Sequence, residues 1–109
     1  VTEMREATFL ILTALADEPR HGYGIIQEVA LVSDGRVTLL PGTLYAALDR
    51  LVAQGLVELS HEQVVDGRLR RYYRLQADGR AELARQTERL RQLASAAESR
   101  LRVLRPNLA

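Results

Sequence analysis

The chain of 109 residues is 47% hydrophobic and 27% charged, enough for one packed core and too little for two. Fifteen basic residues, every one an arginine, stand against fourteen acidic ones for a net charge of +1, so any attraction to a polyanion must come from local clustering. The absence of cysteine excludes disulfides and thiolate zinc sites, and two histidines alone offer poor material for a metal or a general base. No catalytic group, cofactor or metal is expected, and no apolar run reaches the ~20 residues of a membrane span. A soluble cytoplasmic protein without a membrane partner is the expectation.

Taken in chain order, Glu3 to Leu15 are helix formers whose apolar positions cover more than one face, which predicts a helix with neighbours on two sides. Pro19 breaks the pattern and makes Asp17 to Arg20 a short connection between helices. Gly22 to Val32 carries Ile25, Ile26, Val29 and Val32 at helical spacing, and Ser33-Asp34-Gly35 supplies its stop. Arg36 to Leu39 is short and β-prone, an edge strand or an extended linker. Pro41-Gly42 marks a new start. From Thr43, the stripe Leu44, Ala47, Leu48, Leu51 and Val52 predicts a third helix, with Gly55 as the residue just past its end.

Beyond Gly55 the period drops to two. Val57 and Leu59 alternate with polar neighbours, Asp66-Gly67 carries the short-hairpin signal, and Arg68 to Leu75 returns with Tyr73 and Leu75 as its candidates for burial. His61, on this hairpin, has no evident partner and reads as solvated. A last helix starts with Asp78 or Gln76 as its cap and runs to about Leu104, before Pro106. At ~1.5 Å per residue it spans roughly 40 Å, more than so small a globule covers. Leu83, Leu90, Ala97 and Leu104 repeat every seven residues and Leu93, Ala94 and Leu101 widen the stripe, so the seam calls for a partner helix.

Helix, helix, short strand, helix, hairpin is the order of a winged helix-turn-helix, in which the third helix enters the DNA major groove and the hairpin wing lies along the backbone or in the minor groove. The predicted fold is mainly α with a small β-hairpin. Residues 1–76 form a winged helix-turn-helix DNA-binding domain and 77–109 a long C-terminal dimerisation helix. Once Leu44 turns inward, Gly42-Thr43-Leu44-Tyr45-Ala46 leaves a helix start free of acid and bulk, suited to close approach to phosphates. Arg68, Arg70, Arg71 and Arg74 make the hairpin a basic projection on a near-neutral protein.

His21-Gly22-Tyr23-Gly24-Ile25, Pro41-Gly42-Thr43-Leu44-Tyr45 continuing to Leu48, Arg50, Leu51 and Gly55-Leu56-Val57, and Gly67-Arg68 leading to Tyr72-Tyr73-Arg74-Leu75 and Gly79-Arg80 resemble the PadR family of bacterial transcriptional regulators. The likeness spans roughly residues 7 to 80, and the single-helix tail is similar to the shorter PadR subfamily. It implies a homodimeric repressor held together largely by the C-terminal helix and bound to a pseudopalindromic operator in double-stranded DNA. In many members a small aromatic or hydrophobic effector releases the DNA. Two departures stand out. Leu40 replaces the small polar residue that usually caps the recognition helix, so either Thr43 caps one register later or Leu40 packs as a staple. Members that stack flat drugs do so on a tryptophan of the last helix, which this chain lacks.

The candidate DNA-binding residues are Tyr23, Gly42, Thr43, Tyr45, Arg50, Arg68 and Arg70, and the candidate dimerisation residues are Leu83, Leu90, Leu93, Ala97, Leu101 and Leu104. Each has a plainer role beside it. Tyr23 is equally good core filler, Thr43 equally a helix cap, and Tyr45 an ordinary boundary residue. Arg50 has Asp49 beside it to repel the same phosphate, and His21 suits a local hydrogen bond better than titration. Arg71 and Arg74 suit pairs with Glu58 or Glu62 across the hairpin, each worth ~0.2–1 kcal/mol. Gly42 and Gly67 fit backbone conformation as well as DNA approach, and the leucine stripe could pack on its own domain. A winged helix that docks a protein, its arginines reading acidic side chains, is the alternative function.

Overall fold

A computed structural model describes residues 4–104, with the side chain of Leu104 excepted. The order is α1 (Glu6–Ala14), β1 (Arg20–His21), α2 (Gly22–Val32), α3 (Pro41–Ala53), β2 (Val57–Val65), β3 (Arg68–Leu75) and α4 (Ala77–Leu104). Helix α1 is shorter than its sequence pattern predicts, and Glu3 lies outside the described residues. It buries Leu10, Ile11, Leu12 and Ala14 between neighbours, joining Ile25 and Val29 of α2 and Leu44, Leu48 and Leu51 of α3 in one core. Val57, Tyr73 and Leu75 close that core from the sheet.

The α1–α2 connection is latched by Arg20. Its Nε donates to the Ala14 carbonyl at 2.7 Å, and the guanidinium lies 3.3–3.8 Å from Asp17, Glu18 and Glu28. This segment carries a strand that the sequence pattern does not signal. Arg20 and His21 pair antiparallel with Tyr73 and Tyr72, so the sheet has three strands in the order β1-β3-β2. Arg36 to Leu40 forms no strand; it is the extended linker, pinned by the Ser33 hydroxyl, which accepts from the Val37 N–H at 3.0 Å. Leu39 seats in the core.

Both helix stops follow from residues able to adopt positive φ. After α2, Asp34 (φ 57°) and Gly35 (φ 79°) turn the chain so that the Gly35 N–H reaches the Ala30 carbonyl and the Asp34 N–H that of Leu31. After α3, Gly55 (φ 77°) does the same, with Leu56 donating to Leu51. The hairpin turns through Asp66 (φ 51°) and Gly67 (φ 75°), two left-handed residues whose twist matches the flanking strands.

Helix α4 starts after Gln76, whose carbonyl accepts from the Arg80 N–H. Gly79 lets its first turn lie directly on the Leu56 carbonyl, where any Cβ would collide with backbone. Glu82 accepts from Gln86 and Arg85, which hold its carboxyl below the usual range. Leu83 packs on the core, but from Leu90 to Val103 every residue is exposed. The 28-residue helix is roughly 42 Å long at ~1.5 Å per residue, and it stretches the molecule to 63 × 28 × 22 Å. No helix among the described residues is long and apolar enough to cross a membrane.

Candidate nucleic-acid interface

Helix α3 presents its N-terminus to solvent. Pro41 occupies the first helical position, where its missing N–H costs nothing, and no side chain caps the helix. Neither expectation for Leu40 and Thr43 holds: Leu40 is 69% exposed instead of packing as a staple, and Thr43 makes no cap. The reason lies in register, since Leu40 itself stands at the capping position and Thr43 is already inside the first turn. Going uncapped costs about 1 kcal/mol and leaves first-turn amides open to an external acceptor. Gly42 and Thr43 are exposed, and a Cβ on Gly42 would meet nothing within 4 Å.

On one side of α3 runs a trough of about 870 Å³ between the helix, the start of α2 and the hairpin. Tyr23, Tyr45, Asp49, Arg68 and Arg70 line it, with Tyr73 at its base. Tyr45 lies over Gly22, whose missing side chain is what admits the phenol. The Tyr73 hydroxyl is pushed up from its usual pKa by burial first and by Tyr45 and Asp49 next, with Arg71 opposing them.

A bulge between Leu59 and His61 shifts the hairpin register and brings His61 opposite Tyr72. The rings stack at 4.4 Å and 9°, and Nδ1 of His61 lies 3.0 Å from the Ser60 hydroxyl. His61 is exposed, as its sequence reading expects, but it has partners that the reading does not give it; strict alternation holds no trace of the bulge that supplies them. His21 meets the same Tyr72 edge-on at 5.2 Å.

His21 Nδ1 accepts from the Gly24 N–H at 3.1 Å and caps α2, the local bond expected of it. A nitrogen that accepts carries no proton, so in the neutral ring Nε2 is the N–H. Arg70 Nη1, 3.4 Å from Nε2, thus faces a donor with a donor. Burial first, and the Arg70 charge second, hold His21 below its usual pKa. Among the described residues Arg70 makes no ion pair with a carboxylate. Arg71 and Arg74 do find carboxylates, Glu62 at 3.1 Å and Glu58 at 2.7 Å, as the cross-strand reading expects. Arg68, at the turn, makes no ion pair with a described residue.

Of the candidate DNA-binding residues, Tyr23, Tyr45, Arg68 and Arg70 share this trough, and Tyr23 is 64% exposed, not core filler. Gly42, Thr43 and Arg50 border a different one, between α3 and α1, where Arg50 Nη2 donates to the Thr8 hydroxyl at 3.3 Å. Asp49 in the wing trough was not a candidate; its place follows from being four residues, about one turn, after Tyr45. Of the dimerisation candidates, Leu83 turns to its own core, while Leu90, Leu93 and Leu101 are 41%, 56% and 63% exposed and Ala97 is exposed with them. The Leu104 side chain lies outside the described residues.

Three helices and a hairpin whose sheet borrows its third strand from the turn before α2 define a winged helix-turn-helix. The chain belongs to the Transcriptional regulator PadR-like family, whose pattern matches residues 11–85. It is 44% identical over 84 residues to the transcriptional regulator Rv3488 of Mycobacterium tuberculosis, spanning 77% of this chain and 75% of that one. Among solved structures, a PadR family transcription regulator from Clostridium difficile matches with a TM-score of 0.72 at 24% identity, over 86% of this chain and 96% of the other. Bacillus subtilis PadR in complex with operator DNA matches with a TM-score of 0.66 at 20% identity, over 77% of this chain and 47% of that one. These two likenesses are of fold. This chain is a PadR-like transcriptional regulator.

Proposed function

We propose that the chain is a dimeric repressor that binds a pseudopalindromic operator through α3 and the hairpin, and leaves it when a small aromatic or hydrophobic effector binds. Residues 1–76 form the DNA-binding unit and 77–109 the dimerisation helix. The observation that carries this reading is the bare start of α3: uncapped, glycine-bearing where the protein's own packing does not require glycine, and on a helix whose wing-side trough is lined by Arg68 and Arg70, neither in an ion pair with a described residue. Phosphates approach such an end closely. Tyr23, Tyr45, Arg68 and Arg70 contact the backbone on the wing side, and Gly42 and Thr43 enter the major groove.

Two copies joined along Leu90, Leu93, Ala97 and Leu101 bury a face that one copy leaves in water. Their recognition helices then stand about one DNA turn apart, ~34 Å. A cavity of about 480 Å³ lies where Phe9, Leu10, Val32, Leu90 and Leu93 meet Arg36. An effector wedged beside α4 there changes the angle between subunits and disfavours the DNA-competent spacing, by as much as its affinity differs between the two states.

The test is a gel shift with the full chain across a salt series. Specific affinity falls steeply with salt. Replacing Arg68 and Arg70 together by Ala removes up to four phosphate contacts per dimer, so the slope of log K against log salt becomes shallower by up to about 3.6. Equal affinity and slope in the double variant overturn the role of the wing.

A further inference from the structure

We infer that Arg5 and Arg50 form a second phosphate-binding line on the α1 side of α3, holding the DNA strand that faces the wing's strand across the major groove. This rests on the DNA-binding reading above and adds to it a contact from outside the helix-turn-helix and its wing. Helix α3 is a ridge between two troughs. One lies on the wing side; the other, of about 440 Å³, runs between α3 and α1 and is bordered by Arg5, Thr8, Gly42, Thr43, Ala46 and Arg50. A helix with its side chains is about 10–12 Å across and the major groove about 12 Å wide, so a helix seated there has a sugar–phosphate strand on each flank. A wing accounts for one strand.

Charge separates the arginines that are available from those that are not. Arg20, Arg71, Arg74, Arg85 and Arg91 are paired with carboxylates. Among the described residues Arg5 and Arg50 meet none; the one partner of Arg50 is the neutral Thr8 hydroxyl, which aims the guanidinium along the trough and leaves its charge intact. Asp49 does not compete for the same phosphate. Successive helix positions are about 100° apart, and Asp49 lies in the wing trough beside Arg71 and Tyr73 while Arg50 lies in this one. Glu82 borders the far end, where Met4, Gln54 and Leu56 continue the surface, but its carboxylate is taken up by Gln86 and Arg85. Arg5 stands just before α1 and gives that helix no side-chain cap, so its replacement spares the fold.

The full wild-type chain is used to select a duplex from randomised DNA, and that duplex is then bound by wild type, Arg5→Ala, Arg5→Lys and Arg68→Ala from 50 to 200 mM salt. Loss of one contact per subunit lowers the salt slope by about 1.8, so the gap between wild type and Arg5→Ala closes about 12-fold over that range. Arg5→Lys restores most of the slope, because a phosphate contact needs the charge more than the fork. Ethylation interference on the selected duplex places the Arg5-dependent phosphates on the strand opposite those that depend on Arg68. The inference is overturned if Arg5→Ala binds as wild type does while Arg68→Ala is impaired. It is overturned as well if Arg5→Ala alters the sedimentation of the free protein, which makes Arg5 a subunit contact. If the wild-type chain selects no sequence at all, the DNA-binding reading falls and this one with it.

Discussion

Gly42 separates what the fold needs from what a DNA partner needs. It stands in the first turn of α3 outside the set of positive-φ glycines, and a Cβ there meets nothing within 4 Å. Gly22 and Gly79 differ, because a Cβ on them strikes Tyr45 or the Leu56 carbonyl. Alanine at position 42 therefore adds no clash and removes backbone freedom from the unfolded chain, a gain of about 0.5 kcal/mol at the low end of the glycine penalty, since the position is terminal. In a domain of this size that raises Tm by roughly 2–3 °C. DNA binding moves the other way. If first-turn amides touch phosphate, a methyl group weakens the complex and Gly42→Leu, standing farther off the helix, weakens it at least tenfold, about 1.4 kcal/mol. Thermal melts and titrations of a selected duplex read the two effects on the same samples. Full affinity in Gly42→Leu refutes the close approach, and a lowered Tm in Gly42→Ala refutes the open space around the residue.

Leu90→Asp with Leu101→Asp puts carboxylates on the exposed stripe of α4, so sedimentation should give folded monomers that have lost operator affinity; a persisting dimer places the interface elsewhere. His21 is held below its ordinary pKa near 6.5, so its neutral form is favoured by folding. Its contribution is complete well above pH 6.5, where folded and unfolded chains are both neutral. It is lost as pH falls through the lower folded value, because the unfolded chain takes up the proton first. His21→Asn keeps a capping acceptor but cannot titrate, so its Tm should fall less than that of wild type between pH 7 and 5. Parallel curves would refute the link.

Features written in local chemistry were legible from the sequence. Gly55, the Asp66-Gly67 pair and the Leu44–Leu51 stripe each impose a conformation on their own neighbourhood, and α3, its stop and the hairpin turn lie where those residues put them. The unpaired length of α4 was legible from arithmetic on its period and rise. Features fixed by distant partners were not. Arg20–His21 is a two-residue strand only because β3 lies beside it, and Pro19 before it reads as a plain break. The His61–Tyr72 stack depends on a bulge that shifts register by one residue. At the site, residue type identified the bare helix end and the basic wing, but not that Arg50 turns to Thr8 while Asp49 turns to the wing. One step along a helix decides that, together with whichever element packs on each side.

The central claim is that two such helix ends read duplex DNA together, and selection of bound sequences from a randomised duplex pool by the full chain tests it most directly. The expected yield is an inverted repeat whose half-site centres lie about 10–10.5 base pairs apart, or a whole multiple of that. Recovery of a single unrepeated site, or of no preferred sequence with affinity set by salt alone, contradicts it.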